Sequence, residues 1–202
     1  SSAASDVYKR QYLRYSGSDK IYQIAEPIRI SSEVSDWLKK DLLNVEFAEV
    51  ASIKLQVESE PLVASSRKSE DSAWESPSEK SNKLDSKQIE QILERLNPLS
   101  FSKLFKKGLE LKPQVGTIDT TSMLSISLFD GRIYTLKLQN NILPNGNYLM
   151  SVRMGILQDD SGNIRTNYEE VRKEMDIFNQ KANGRFFEIS SWEGNEILLK
   201  DK

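Results

Sequence analysis

The chain has 202 residues, with 28 basic and 30 acidic side chains and a net charge of −2, and it contains neither Cys nor His. The missing Cys and His exclude Ser-His-Asp and Cys-His nucleophiles and the usual Cys/His zinc sites. The length suggests one domain or two small ones, and the basic residues never form a run longer than a pair, which argues against nucleic acid as a partner.

The first eleven residues do not read as a natural start. The chain has no initiator Met, and residues 6–11 read like the translation of a transposase sequencing adapter. We therefore expect residues 1–11 to be non-native and the chain to be a fragment whose upstream part is missing. No apolar run reaches the length of a membrane span, so no direct membrane insertion of this fragment is expected.

A hairpin and a helix are the next predicted elements. Residues 12–15 and 20–24 are strand-like, and residues 16–19 between them are typical of a turn. Further on, Ser31 or Ser32 can cap a helix. The apolar face of that helix follows the spacing i, i+3, i+4, i+8 and consists of Val34, Trp37, Leu38 and Leu42.

Strands and a second helix follow. Alternating apolar residues predict a strand over residues 50–57, and residues 62–67 and 73–75 are two shorter candidates. After a polar loop, Asp85 and Gln88 have the spacing of a capping box. The helix that they begin carries an apolar stripe of Ile89, Ile92, Leu93 and Leu96. Beyond it we expect an apolar connection through Leu99, Phe101, Leu104 and Phe105.

A three-stranded antiparallel meander is predicted next. Its strands lie within residues 116–129, 133–138 and 148–152, and Asp130-Gly131 and Asn145-Gly146 are the tight-turn dipeptides around them.

The last helix is expected to begin at a capping box of Thr166 and Glu169 and to end before Gly184. Residues 185–189 form a closing strand. The stripe of the helix consists of Tyr168, Val171, Met175, Phe178 and Ala182, and the tail is expected to pack down through Trp192, Ile197, Leu198 and Leu199.

This order of elements predicts an α+β fold, in which antiparallel sheets carry helices on one face. A unit of strands, helix and strand around residues 12–75 and again around 115–189 could be an internal duplication. We accordingly expect a first unit over residues 12–83, truncated at its N-terminus, and a second over residues 84–202.

Four groups of side chains have some features of a functional site, but a structural role is favoured for each. Residues 159–170 place Asp159, Ser161, Asn163 and Glu170 at calcium-loop positions, but Ile164 stands where the sharp turn needs Gly. The acidic residues of the last helix stand away from its apolar stripe and indicate a solvated face; they are Glu169, Glu170, Glu174 and Asp176. The lysines beside the aromatic connection indicate a snorkelling rim; they are Lys103, Lys106 and Lys107. The tryptophans are expected in the core; they are Trp37, Trp74 and Trp192.

From residue 12 onward the order of segments resembles the bacterial family called domain of unknown function 4340. Residues 20–24 resemble its hairpin strand, residues 36–43 its W-L-x-x-x-L-L helix, and residues 50–53 the strand after that helix. Residues 89–101 and 178–189 resemble a later helix with its exit and the closing segment.

The resemblance implies an extracytoplasmic protein tethered by an N-terminal membrane helix, which this fragment lacks. Some members are encoded beside ABC-type transporter or gliding-motility components, and no catalytic residues are established for the family. We therefore expect a non-enzymatic accessory or scaffold domain of a membrane transport complex, with transporter components as partners and with no catalytic, cofactor-binding or metal-binding residues. The alternative is a small-ligand or glycan-binding module that uses an aromatic groove.

Overall fold

A computed structural model describes residues 11–24, 41–76, 82–106, 121–140, 143–157 and 168–200. The chain divides into two units, Ser1–Leu38 and Lys39–Lys202. Within the described residues, no helix is both long and apolar enough to cross a membrane.

The first unit contains the predicted hairpin. Strands β1 (Gln11–Arg14) and β2 (Ile21–Ile24) pair antiparallel. Gly17 in the turn has φ +81°, a left-handed conformation that Gly adopts without steric cost. The predicted helix start at Ser31 or Ser32 lies outside the described residues.

The second unit contains nine strands and three helices among its described residues. In chain order they are β3 (Asp41–Leu43), β4 (Val50–Gln56), β5 (Val63–Ser66), α1 (Ser86–Leu96), β6 (Leu99–Ser100), β7 (Lys103–Lys106), β8 (Thr121–Leu128), β9 (Arg132–Gln139), β10 (Tyr148–Ile156), α2 (Tyr168–Ala182), β11 (Arg185–Ile189) and α3 (Ser191–Ile197). Seven strands form one antiparallel sheet in the order β5-β4-β8-β9-β10-β11-β7. Strands β3 and β6 pair separately.

One face of this sheet is the core. Ile126, Leu136 and Met150 are fully buried because side chains alternate between the two faces of a strand. The opposite face carries residues such as Lys54 and Arg153, which are exposed. The meander β8-β9-β10 is confirmed, and Gly131 and Gly146 have positive φ in its turns. The α+β fold class is therefore confirmed.

Helix α2 lies on the buried face of the sheet. Phe178 meets Tyr134 edge to face, with ring centroids 5.6 Å apart. Strand β10 pairs with β11 only from Tyr148 to Met150, so no described strand pairs with the main chain of Met154 on that side. The Asn179 side chain fills this place, since its amide nitrogen donates to the Met154 carbonyl at 2.8 Å and its oxygen accepts from the Met154 N–H at 3.0 Å.

Helix α1 begins as predicted. The Asp85 carboxylate accepts from the Gln88 N–H at 2.8 Å, and the Gln88 side chain accepts from the Asp85 N–H at 3.0 Å. The predicted stripe is buried and consists of Ile89, Ile92, Leu93 and Leu96.

Three expectations need correction. Leu42 lies in strand β3, not in a helix, because residues 41–43 pair with β6 and this pairing overrides the helical spacing. The apolar connection after α1 contains strands β6 and β7. Trp192 is 46% exposed, because helix α3 turns Gly194 and Ile197 inward instead.

The sheet takes strands from both sides of the boundary expected between residues 83 and 84, since β4 and β5 join β7 to β11. The division into two duplicated units stays a prediction.

Gly194 is the closest approach of α3 to the sheet. A Cβ placed there would lie 2.7 Å from Cγ of Tyr148 and closer still to other atoms of that ring. We expect Gly194→Ala to lower the free energy of unfolding by about 2 kcal/mol, because overpacking outweighs the gain in helix propensity. Urea unfolding measures this. The matched control is Gly155→Ala, where the nearest atom to an added Cβ is a carbonyl oxygen at 4.0 Å, and equal stability of the two variants would contradict the prediction.

Candidate functional site

Arg67 follows strand β5 and is 7% exposed. Its guanidinium donates to main-chain carbonyls from two other segments: Nε to Val50 at 2.8 Å, and Nη2 to Phe47 at 2.6 Å and Ala48 at 3.1 Å. Nη1 donates to the carbonyl of Glu70. The planar fork of an arginine can serve several acceptors at once, so this side chain ties residues 47–50 to the loop after β5.

Three aromatic rings surround the same guanidinium. Its Cζ lies 4.9 Å from the ring centroid of Phe47, 4.8 Å from Trp74 and 5.6 Å from Phe129. Cations are attracted to the faces of aromatic rings at these distances. Phe47 and Trp74 also meet edge to face at 6.1 Å. Arg67 therefore fixes the orientation of both rings.

The charge of Arg67 is retained at neutral pH. Burial lowers the pKa of Arg67, while the nearby carboxylates of Glu70 and Asp71 act in the opposite direction. Arginine side chains are not deprotonated in proteins, so the guanidinium keeps all its donors.

Two cavities meet at Phe47 and Glu90. One has a volume of about 610 Å³ and is lined by residues 70–74, Arg67 and the start of α1. The other has a volume of about 300 Å³ and is lined by Val45 and the last turns of α1. We call the two together the Phe47 groove. Phe47 itself is 37% exposed, so an apolar ring stands in the middle of the groove.

The rim of the Phe47 groove is acidic. Five exposed carboxylates line it: Glu70, Asp71, Asp85, Glu90 and Glu94. Lys83 is the exposed cation among the described lining residues, and the guanidinium of Arg67 donates to carbonyls. Within the described residues none of the five carboxylates forms an ion pair. The carboxylates are also spread out, since no three acidic groups in the described part of the chain could hold a metal ion together.

Helix stability does not explain the acids of α1. Glu90 and Glu94 stand at positions i and i+4, where like charges destabilise a helix by about 0.2–0.5 kcal/mol. Glu94 also lies in the last turn, where the helix dipole disfavours a negative charge. The pair Glu90 and Glu94 thus does not stabilise α1, in contrast to the capping residue Asp85.

Residues 2–114 match the family described as Domain of unknown function (DUF4340), over more than half of the chain. The chain belongs to this family. The match contains the whole Phe47 groove and also residues 2–11, which the sequence analysis set aside; the closing segment 178–189 lies beyond it. Comparison with curated proteins and with solved structures finds no match.

The acids of α2 are solvated in this DUF4340 member, as predicted. Glu169, Glu170, Glu174 and Asp176 are all exposed. Glu174 reaches Arg132 at 3.8 Å, in an ion pair between α2 and β9. Of the calcium-loop candidates, only Glu170 is described, and it lies in α2; Asp159, Ser161 and Asn163 lie outside the described residues.

The lysines beside the aromatic connection form a partly exposed rim, as predicted. Lys103 and Lys106 are exposed next to the buried Phe101. Lys103 lies 3.9 Å from the buried carboxylate of Glu188. Lys107 lies outside the described residues.

The tryptophans do not gather in the core. Trp74 is buried, as expected, and forms a wall of the Phe47 groove. Trp192 is exposed, and Cζ of Arg95 lies 4.3 Å from its ring. Trp37 lies outside the described residues.

Sequence reasoning missed Arg67, Phe47 and the acidic rim. A lone arginine after a strand and a phenylalanine in a loop have no recognisable spacing. The i, i+4 pair Glu90 and Glu94 was the available signal, because it offers a helix no benefit.

Arg67→Lys tests the anchoring role. A lysine ammonium is a point donor without a planar fork, so it cannot reach carbonyls of four residues or cover three rings. We expect the free energy of unfolding to fall by about 3 kcal/mol in urea titration. Arg153→Lys, at an exposed position of β10, is the matched control and should leave it unchanged. A loss for Arg67→Lys no larger than for the control would refute the role.

Proposed function

We propose that this DUF4340 domain is a non-catalytic accessory or scaffold module, which binds a protein partner in a bacterial membrane transport complex outside the cytoplasm. The Phe47 groove is the binding surface in this proposal. The absence of Cys and His from the sequence removes the commonest nucleophile chemistry, which leaves binding as the better-supported role.

One observation carries the proposal: the exposed aromatic ring of Phe47 stands in a groove whose rim carries five exposed carboxylates, none of them in an ion pair with a described residue. Protein interfaces are typically built from an apolar or aromatic centre with a polar rim. Arg67 holds Phe47 and Trp74 in place before any partner arrives, and such preorganisation lowers the entropy lost on binding.

The location outside the cytoplasm and the identity of the partner rest on the family resemblance. An extracytoplasmic domain tethered by an upstream membrane helix would meet the exposed parts of a transporter. The groove supplies a surface for such a contact.

A small-ligand or glycan site is the second candidate, and the position of Trp74 in the wall of the larger cavity favours it. Against it, Arg67 lies over the Trp74 ring and Arg95 over the Trp192 ring. Each ring face covered by an arginine is closed to a stacked sugar.

Cross-linking and purification of the tagged full-length protein from membranes of its native host test the proposed function. We expect subunits of a transport complex among the cross-linked proteins, because an accessory domain contacts its complex directly. The control is an unrelated extracytoplasmic domain with the same tag and anchor. Recovery of no transport subunit beyond this control would count against the proposed function.

A further inference from the structure

We propose that the occupant of the Phe47 groove is a basic peptide segment of the partner protein, with an apolar side chain that packs against Phe47. This inference rests on the proposed binding function and names the chemistry of the partner. Two features carry it: the charge of the rim, and the shape and apolar centre of the groove.

The charge of the rim selects a cationic partner. Among the described residues that line the groove, there are five exposed carboxylates and one exposed lysine. Exposed carboxylates can bind Lys or Arg side chains in ion pairs and charge-assisted hydrogen bonds. The same carboxylates would repel an anionic segment, so electrostatic complementarity argues against an acidic partner.

The shape of the groove selects a segment of chain over a compact ligand or a metal ion. The two cavities of about 610 and 300 Å³ adjoin, and the carboxylates extend from the loop at residues 70–71 to Glu94 near the end of α1. A helix rises about 1.5 Å per residue, so Glu90 and Glu94 on α1 are about 6 Å apart along its axis, and Asp85 at the N-cap extends the row of carboxylates to about 13 Å. A peptide can meet charges spread over such a length, whereas a single small cation meets one or two of them.

The centre of the groove selects an apolar anchor within the basic segment. Phe47 is exposed, while Val45 and Leu93 on the floor of the smaller cavity are buried. An aliphatic or aromatic side chain that enters this cavity removes the Phe47 ring from water. In protein interfaces, the burial of apolar surface at the centre supplies most of the affinity, and the charges at the rim supply specificity.

A peptide titration tests the inference. The probe is a short fluorescent peptide of lysine and alanine with one tryptophan, and the readout is fluorescence anisotropy. Two further probes replace every lysine by glutamate or the tryptophan by alanine. We expect the first probe to bind, the glutamate probe not to bind, and the alanine probe to bind more weakly. Binding should weaken as salt rises, because ions screen exposed charges within about 10 Å at 0.1 M.

Variants locate the binding on the molecule. The double variant Glu90→Gln with Glu94→Gln should lower the affinity for the lysine–tryptophan probe about fivefold, because each exposed charge pair contributes little binding free energy. The matched control is Glu169→Gln with Asp176→Asn, which removes the same charge from exposed positions of α2 and should leave affinity unchanged. Equal weakening by both pairs, or equal binding of the glutamate probe, would overturn the inference.

The same variant separates this inference from the proposed function. If the wild type recovers transport subunits by cross-linking and the Glu90/Glu94 variant recovers them equally, the basic-segment inference fails and the proposed function stands. If the wild type recovers none while the peptide titration succeeds, the proposed function fails on its own.

Discussion

The buried guanidinium of Arg67 is the interaction on which the surface of this domain depends. It donates to carbonyls of Phe47, Ala48, Val50 and Glu70, and it lies among three aromatic rings. A buried charge is costly unless its donors are satisfied. Here the acceptors belong to the segment that leads into β4 and to the loop after β5. The solvation of the charge and the positions of these two segments therefore depend on each other.

The sheet supplies the frame for this arrangement. Strand β4 begins at Val50 and pairs with β8 and β5, so the carbonyl that accepts from Nε belongs to the core of the sheet. Arg67 stands directly after β5, and because β4 and β5 are antiparallel, it lies at the same end of this pair as Val50. One side of the groove thus consists of the segments that directly precede β4 and follow β5, and the other side consists of α1. Segments attached to such rigid elements keep their geometry better than isolated loops.

The elements that sequence predicted well are those fixed by local chemistry. The Asp85–Gln88 capping box, the turns at Gly131 and Gly146, and Gly184 after α2 each follow from a few neighbouring residues. Leu42 and Trp192 were predicted wrongly, because partners more than fifty residues away, or a short helix with its own cap, decide their positions. The groove could not be predicted from neighbouring residues either, because the segments that line it are distant in sequence and come together only in the fold. These segments are residues 45–47, 67–74 and 83–97. The sequence did contain one signal for the groove, the pair Glu90 and Glu94, which does not stabilise α1.

The central claim is that a partner binds at the Phe47 groove. The most direct measurement replaces Phe47 by a photoreactive phenylalanine analogue in the full-length protein and irradiates living cells. The same analogue in place of Ile177, which is 54% exposed on α2, is the reference. We expect a discrete cross-linked partner from position 47 and none from position 177. A partner cross-linked from position 177 and absent from position 47 would contradict it.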